Sequence, residues 1–212
     1  MGFGVALIGY AFLLLNEVGG GLFAALILGY GFFLASRLDD GFLHAAISAL
    51  FMAPHGILLL CITFGLFSAE EVQTVYFITL LLHLVAWMMT SYFWLSAVIR
   101  IARSNSAAKL ETKARNRLVF TVLFLFSSAI LHVAGLGGVL GNYAATVSAV
   151  LFIIQYAVIF INFFFLHTCF ILITGERQYE KDKQQIAIER AKQLQKQQEA
   201  KREVSKRIGK RK

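Results

Sequence analysis

The sequence predicts an all-α protein, a transmembrane helical bundle of six spans followed by a basic cytoplasmic C-terminal helix. Three observations carry this prediction. First, 58% of the 212 residues are hydrophobic, and the chain has one proline. Second, several apolar runs exceed about 18 residues without a charge, which is enough to cross a bilayer core as a helix. Third, the net charge of +8 is concentrated in two segments.

Six apolar segments, separated by short polar breaks, make up the predicted transmembrane domain, residues 1–175. By number they are 2–16, 21–36, 42–67, 74–100, 118–140 and 144–174. The last four reach the minimum of about 17 residues that a transmembrane helix needs, whereas the first two fall just below it. Two interpretations of residues 2–36 therefore stay open, namely two short spans or one re-entrant hairpin.

The distribution of basic residues predicts the orientation. Residues 100–117 hold six Lys or Arg and one acidic residue, and residues 176–212 hold 13 and six. Because cytoplasmic loops of membrane proteins are enriched in Lys and Arg, both segments are expected in the cytoplasm. The breaks with Glu17 and Glu70 then lie outside, Arg37 lies inside, and both termini are cytoplasmic. The short loops favour a bacterial plasma membrane.

Two local features refine the spans. Pro54 removes the N–H that would bond the carbonyl of Leu50, so a kink is expected in the third span. Tyr92 and Trp94 lie near the cytoplasmic end of the fourth span, where an aromatic belt is expected.

A glycine-rich segment, "ILHVAGLGGVLGNY" at residues 130–143, separates the fifth and sixth spans. It lacks the Lys-Ser/Thr pair of a phosphate-binding loop, and it follows an apolar helix rather than a strand. Gly137 and Gly141 have the spacing that lets helices approach closely. We therefore interpret the segment as a turn or a packing contact, not as a phosphate site.

Polar residues recur at helical spacing in spans three to six. The stripes are His44, Ser48 and His55; Thr79, His83 and Thr90; Thr121, Ser128 and His132; and Ser148, Gln155, Asn162 and Cys169. Polar groups that face lipid have no hydrogen-bond partner, so these stripes are expected to turn inward.

Three histidines are the candidate site. At 1.5 Å per residue, His55, His83 and His132 lie roughly 20–25 Å from the cytoplasmic edge, so they are expected to meet near mid-membrane. Imidazoles bind transition metals, and a facing pair binds a b-type haem. The alternatives are a transport pathway and hydrogen bonds that join the helices. No Asp, Glu, Lys or Arg lies in the interior of a span, which argues against a pump that relies on a buried acid.

Enzymatic motifs are missing from the sequence. There is no G-x-S-x-G nucleophile elbow, no H-E-x-x-H metal motif and no pair of acids inside the spans. The two cysteines, Cys61 and Cys169, both fall within predicted spans and do not indicate a disulfide framework. We therefore expect a protein that is not an enzyme.

The C-terminal tail, residues 176–212, is rich in good helix formers and predicts a helix over 177–207. Its heptad pattern lasts fewer than three repeats, so self-association by a coiled coil is expected to be weak. Basic clusters beside a membrane attract anionic lipid. The ending "KRIGKRK" also resembles nucleic-acid- or ribosome-binding tails.

These patterns predict a non-enzymatic structural, regulatory or assembly protein of the lipid bilayer. Its basic cytoplasmic face is expected to bind anionic lipid or a protein partner. A metal- or haem-binding protein built on the three histidines is the first alternative, and a small-substrate transporter is the second.

Overall fold

A computed structural model describes residues 2–68, 70–136 and 138–173, and these residues are helical and contain no strand. There are seven α-helices within these ranges: α1 (Gly2–Leu13), α2 (Gly20–Ala35), α3 (Gly41–Leu50), α4 (Ala53–Thr63), α5 (Gln73–Ser104), α6 (Ala108–Leu136) and α7 (residues 144–173). Short 3-10 turns precede α2 and α7, at Asn16–Val18 and Gly141–Tyr143. The all-α prediction is confirmed for the described residues.

Four helical segments are long and apolar enough to cross a membrane. They are Gly41–Thr63, which joins α3 and α4, then Gln73–Ser104, Ala108–Gly135 and Gly141–Ile173. They correspond to the last four predicted spans. The first two helices have 12 and 16 residues and are shorter than a full crossing. Four membrane-spanning helices are therefore the number that length and composition support.

The third predicted span is broken where its proline predicts. α3 ends at Leu50 and α4 begins at Ala53. Pro54 lies in the first turn of α4, where a missing N–H breaks no helical hydrogen bond. The interruption at Phe51 and Met52 therefore falls inside the candidate span Gly41–Thr63.

α1 and α2 form a hairpin that packs through small residues. A Cβ atom placed on Gly9 would lie 2.7 Å from Cγ of Leu28. A Cβ on Gly31 would lie 2.5 Å from the backbone nitrogen of Ala6. Backbones this close need glycine, as in other tightly packed membrane helices. The outer side of the hairpin is apolar, and Phe33 is 56% exposed there.

The connections between helices define two ends of the bundle. The acidic end holds the α1–α2, α4–α5 and α6–α7 connections, which carry Glu17, Glu70 and Glu71 and contain no Lys or Arg. The basic end holds the α2–α3 connection and the α5–α6 hairpin tip, with all seven Lys and Arg residues that precede residue 174. The charge asymmetry expected of a membrane protein therefore coincides with the two ends.

The environment of Trp94 corrects one prediction. Tyr92 is 48% exposed, as an aromatic belt requires, but Trp94 is fully buried. Its indole Nε1–H donates a hydrogen bond to the hydroxyl of Tyr10 on α1, at 3.0 Å. The belt prediction for Trp94 is therefore wrong, because a partner on another helix satisfies the indole N–H inside the core.

The chain divides into two compact units, Met1–Cys169 and Phe170–Lys212. In the second unit, the described residues are 170–173, which form the last turn of α7. The predicted helix over 177–207 and the predicted boundary after residue 175 lie outside the described residues.

Candidate functional site

Two of the three predicted histidines lie side by side. His55 on α4 and His83 on α5 have ring centroids 5.3 Å apart, with the ring planes tilted by 52°. His55 is 1% exposed and His83 is 2% exposed. These two imidazoles, expected from the sequence at similar depths, therefore lie together in the core.

Hydrogen bonding determines which nitrogen of His55 carries the proton. Nδ1 of His55 lies 3.1 Å from Oγ1 of Thr79. That hydroxyl donates its own hydrogen to the carbonyl of Tyr76, at 3.0 Å, so it accepts from His55. Nδ1 of His55 is thus the protonated nitrogen in the neutral ring, and Nε2 presents a lone pair.

His83 is an orphaned polar side chain. Neither of its ring nitrogens forms a hydrogen bond of good geometry among the described residues, although the backbone of Met52 lies beside the ring. Buried polar groups are nearly always satisfied, and leaving one unsatisfied costs about 1–3 kcal/mol. The ring of Trp87, one helical turn along α5, packs edge-on at 6.2 Å and supplies no acceptor.

His132 lies apart from this pair. Its Nδ1–H donates to the carbonyl of Ser128 on its own helix, at 2.8 Å, so Nε2 is the acceptor of the neutral ring. Within residues 2–68, 70–136 and 138–173, no three His, Cys, Asp or Glu side chains are grouped so that they can hold a metal ion. Metal binding by His55, His83 and His132 stays a prediction. Of these three side chains, His55 and His83 are adjacent.

A b-type haem between His55 and His83 does not fit this geometry. Two imidazoles on opposite sides of one iron have centroids about 6 Å apart, given metal–nitrogen bonds of about 2 Å. The observed separation is 5.3 Å, with strongly tilted planes. The porphyrin plane would have to lie between two rings that are already in contact.

A cavity of about 680 Å³ opens at the acidic end among α4, α5, α6 and α7. Its polar lining comes from five side chains: Glu70, Gln73, Tyr76, His132 and Ser148. The remainder of the wall is mostly aliphatic. This cavity was not expected from the sequence, because its lining comes from four helices, and spacing along one helix does not give their order around the bundle. One pattern in the sequence could have indicated it. A polar face of α5 continues to the beginning of that helix through Gln73, Tyr76, Thr79 and His83.

The ring of Tyr76 connects the cavity with the histidine pair. It lines the cavity, and its centroid lies 5.3 Å from that of His55. His132 lines the same cavity from α6. His55 therefore packs against Tyr76, whereas His132 shares the cavity with Tyr76 and does not join the His55–His83 pair.

Polar side chains of the stripes are buried in the middle of the bundle and exposed towards its ends. In the middle, Asn162 on α7 donates to Oγ1 of Thr121 on α6 at 3.1 Å, and both residues are buried. At the ends, His44 and Ser148 are exposed. Ring nitrogen Nδ1 of His44 donates to the carbonyl of Asp40, at 3.0 Å. The inward prediction is thus confirmed for the central residues and wrong for His44, whereas the exposed Ser148 lines the cavity among the helices.

At the basic end, an ion pair joins the α2–α3 connection to α5. Nε of Arg100 donates to Oδ2 of Asp39 at 2.9 Å, and Nη2 donates to Oδ1. The Asp39 carboxylate also accepts the backbone N–H of Gly41 at 2.7 Å. The guanidinium of Arg100 and that backbone N–H hold the pKa of Asp39 below its usual range.

The α5–α6 hairpin tip concentrates positive charge. Its acid, Glu111, accepts hydrogen bonds from Arg103 at 2.8 Å and from Arg115 at 3.5 Å. Lys109 and Lys113 are exposed and form no ion pair within the part of the chain that the structure describes. One carboxylate thus lies among several cations, and the tip keeps a positive surface.

The glycine-rich segment forms a turn. Gly138 and Gly141 have φ angles of 69° and 47°, in the left-handed region that favours glycine. No atom would lie within 4 Å of a Cβ at either position, so these glycines are needed for the turn and not for packing. The prediction of a turn is confirmed here, and Gly137 lies outside the described residues.

No protein-family model, curated protein or solved structure matches the chain.

Proposed function

We propose that this chain is a non-enzymatic, multi-pass integral membrane protein whose basic end faces the cytoplasm and binds acidic phospholipid headgroups. The observation that carries the proposal is the basic beginning of α6, which precedes the apolar part of that helix. A protein partner at the same face is the competing occupant.

The beginning of α6 has the length and sidedness of a headgroup-binding element. Residues 108–117 precede the apolar stretch and extend about 15 Å along the helix. Leu110 and Ala114 are buried, as is Ala102 near the end of α5, so the hairpin tip is packed rather than loose. Lys109 and Lys113 point away from this packed face and are exposed.

The charge balance favours an anionic surface. Residues 100–117 hold six cations and one carboxylate. Each Lys or Arg close to an anionic membrane contributes about 1 kcal/mol of attraction. Arg103 and Arg115 share Glu111, and Arg100 is occupied by Asp39, so the attraction comes mainly from Lys109, Lys113 and Arg117.

The packing of the first hairpin supports six crossings. At the basic end, the ring of Phe3 lies 5.3 Å from that of Phe42 at the beginning of α3. At the acidic end, a Cβ on Gly19 would contact the side chain of Leu60. The α3–α4 segment between these two levels covers about 27 Å, close to the hydrocarbon thickness of about 30 Å. The α1–α2 hairpin contacts the α3–α4 segment at both ends of this distance. This favours two short crossings over a re-entrant loop.

The proposal is tested by lipid binding to the purified full-length chain. Native mass spectrometry would count the phosphatidylglycerol and phosphatidylcholine molecules retained by the wild type and by a Lys109→Gln, Lys113→Gln, Arg117→Gln variant. We expect a preference for phosphatidylglycerol in the wild type and its reduction by about fivefold or more in the variant, because three cations that form no ion pair within the described residues are removed. A matched control, Thr112→Ala with Asn116→Ala, changes the same helix without changing its charge.

Equal retention of both lipids by the wild type would contradict the proposal, as would an unchanged preference in the charge variant. A chain ending at residue 176 separates the contribution of the tail. If the truncated chain loses the lipid preference and the charge variant keeps it, the α6 cations are not the binding element. If the charge variant loses a co-purifying protein but no lipid, the competing occupant is the correct one.

A second candidate function, transition-metal binding, is favoured by the orphaned His83. Two imidazoles that share a tetrahedral metal have centroids about 5 Å apart, from metal–nitrogen bonds of about 2.0–2.1 Å. The observed 5.3 Å agrees, and His55 presents the lone pair of Nε2. Elemental mass spectrometry of the purified chain tests this candidate. Metal is expected in the wild type and in His132→Ala, and not in His55→Ala/His83→Ala. No metal in the wild type would exclude it.

A further inference from the structure

The cavity at the acidic end continues into a groove between two helices. The groove, about 540 Å³, runs between α6 and α7 and has an almost entirely apolar lining. Leu131, Val147 and Leu151 line both the cavity and the groove. A molecule with a polar head and an apolar body can therefore occupy both spaces at once.

The groove lies between the parts of α6 and α7 that are nearer the acidic end. The two helices are joined in their middle by the buried Asn162–Thr121 hydrogen bond. Towards the acidic end, most of α7 between residues 144 and 153 is exposed, including Val150 at 49%. In a bilayer this side faces the acyl chains, so the groove gives lateral access to molecules dissolved in the membrane.

The polar part of the cavity offers groups that attract positive charge. Glu70 supplies a carboxylate, and Tyr76 and Phe77 present aromatic rings. Aromatic faces attract organic cations, most strongly where water is excluded. Nε2 of His132 is an acceptor, because Nδ1–H is already donated to Ser128.

The surrounding charge points the same way. Glu17 and Glu71 lie in connections at the acidic end, and these connections contain no Lys or Arg. A negative potential over a cavity with apolar walls raises the local concentration of cations and repels anions. An anionic lipid or a fatty acid therefore does not suit this site.

We propose that the cavity and the groove together bind an amphipathic organic cation, with its positive head at Glu70 and Tyr76 and its apolar body between α6 and α7. This site lies at the opposite end of the bundle from the basic face and does not depend on lipid binding there. A neutral lipid chain that fills the groove is the competing occupant.

Equilibrium binding of radiolabelled tetraphenylphosphonium to the full chain in phosphatidylcholine nanodiscs tests the proposal, with protein-free nanodiscs as the background. We expect saturable binding that Glu70→Gln weakens by about tenfold, because Glu70 is the carboxylate that lines the cavity. The matched variant Glu71→Gln removes the same charge one residue away, from a side chain that does not line the cavity and is bonded to the N–H of Ser68. It should weaken binding by less than about twofold, as expected of a screened charge.

A second variant, Val147→Trp, tests the space itself. It fills the region shared by the cavity and the groove and is expected to abolish saturable binding. Tetraphenylborate, with the same shape and opposite charge, should bind in a manner that Val147→Trp does not change. Equal effects of Glu70→Gln and Glu71→Gln, or binding that survives both Glu70→Gln and Val147→Trp, would overturn the proposal. Equal loss of borate binding in Val147→Trp would also overturn it, because the site would then not select cations.

Discussion

The Asp39 carboxylate forms two hydrogen bonds with the Arg100 guanidinium, and this pair fastens the α2–α3 connection to α5 at the basic end of the bundle. The Asp39 side chain is 17% exposed, whereas that of Arg100 is 53% exposed. The pair thus occupies the boundary between the packed helices and the charged surface, where ion pairs orient a structure more than they stabilise it.

Acidification is expected to remove the contribution of this pair. The folded-state pKa of Asp39 is lowered, so its stabilisation is fully present above the unfolded value of about 3.9 and is lost as the pH falls through the lower folded value. Asp39→Asn should reduce stability at pH 7 by about 0.5–1 kcal/mol, because solvent screens Arg100.

Thermal unfolding in detergent between pH 3 and pH 7 measures this contribution. The difference between the wild type and Asp39→Asn should shrink below about pH 4. Asp40→Asn, whose carboxylate has no ion pair in the described ranges, is the control. A difference that stays constant with pH would contradict the assignment.

Removing the carboxylate of Glu111 is expected to strengthen lipid binding. Glu111→Gln frees Arg103 and Arg115 from their shared partner and adds one net positive charge to the hairpin tip. The preference for phosphatidylglycerol in native mass spectrometry should rise by about two- to fivefold, from one additional charge near the surface. Weaker binding in this variant would show that the ion pairs position the tip for its ligand.

The approach of α4 to α2 depends on Gly56. A Cβ at this position would lie 2.7 Å from the carbonyl carbon of Gly21 and 2.8 Å from Cα of Leu22. Backbone atoms cannot move aside cheaply, so Gly56→Ala should destabilise the bundle by about 1–3 kcal/mol. At Gly135 the nearest atom is Cδ1 of Leu140 at 3.7 Å, so Gly135→Ala should have little effect or stabilise α6. Similar midpoints of thermal unfolding for both variants would refute this packing.

The buried hydrogen bond between Asn162 and Thr121 is expected to hold α6 and α7 together at mid-span. Asn162→Leu and Thr121→Val should each cost about 0.5–1.5 kcal/mol, the range for hydrogen bonds between membrane helices. A double-mutant cycle by reversible unfolding should give a coupling energy of about 0.6 kcal/mol. Additive effects would mean that the two side chains do not interact.

Positions along the helices were predictable from the sequence. Pro54 predicted the break between α3 and α4, because a proline cannot donate the hydrogen bond to the carbonyl four residues before it. The depths of His55 and His83 followed from helical rise, and the two rings do lie together.

Rotation of the helices and their order around the bundle were not predictable. His132 has a similar depth, but α6 places it at the cavity beside Tyr76 instead of at the histidine pair. Trp94 lies near the end of its predicted span, where interfacial residues are expected. Its indole N–H is nevertheless in the core, where it donates to the hydroxyl of Tyr10 on α1, a helix far away in sequence. In both cases contacts between helices far apart in sequence decided the outcome, and spacing along one helix carries no information about them.

The acidic end is expected to lie outside the cytoplasm and the basic end inside, and cysteines introduced singly at the two ends measure this orientation. In a chain with Cys61→Ser and Cys169→Ala, we would introduce Glu71→Cys or Lys109→Cys and treat intact bacterial cells with a membrane-impermeant maleimide. The cysteine at position 71 should be labelled in intact cells and the cysteine at position 109 only after lysis. The reverse pattern, or labelling of both in intact cells, would contradict it.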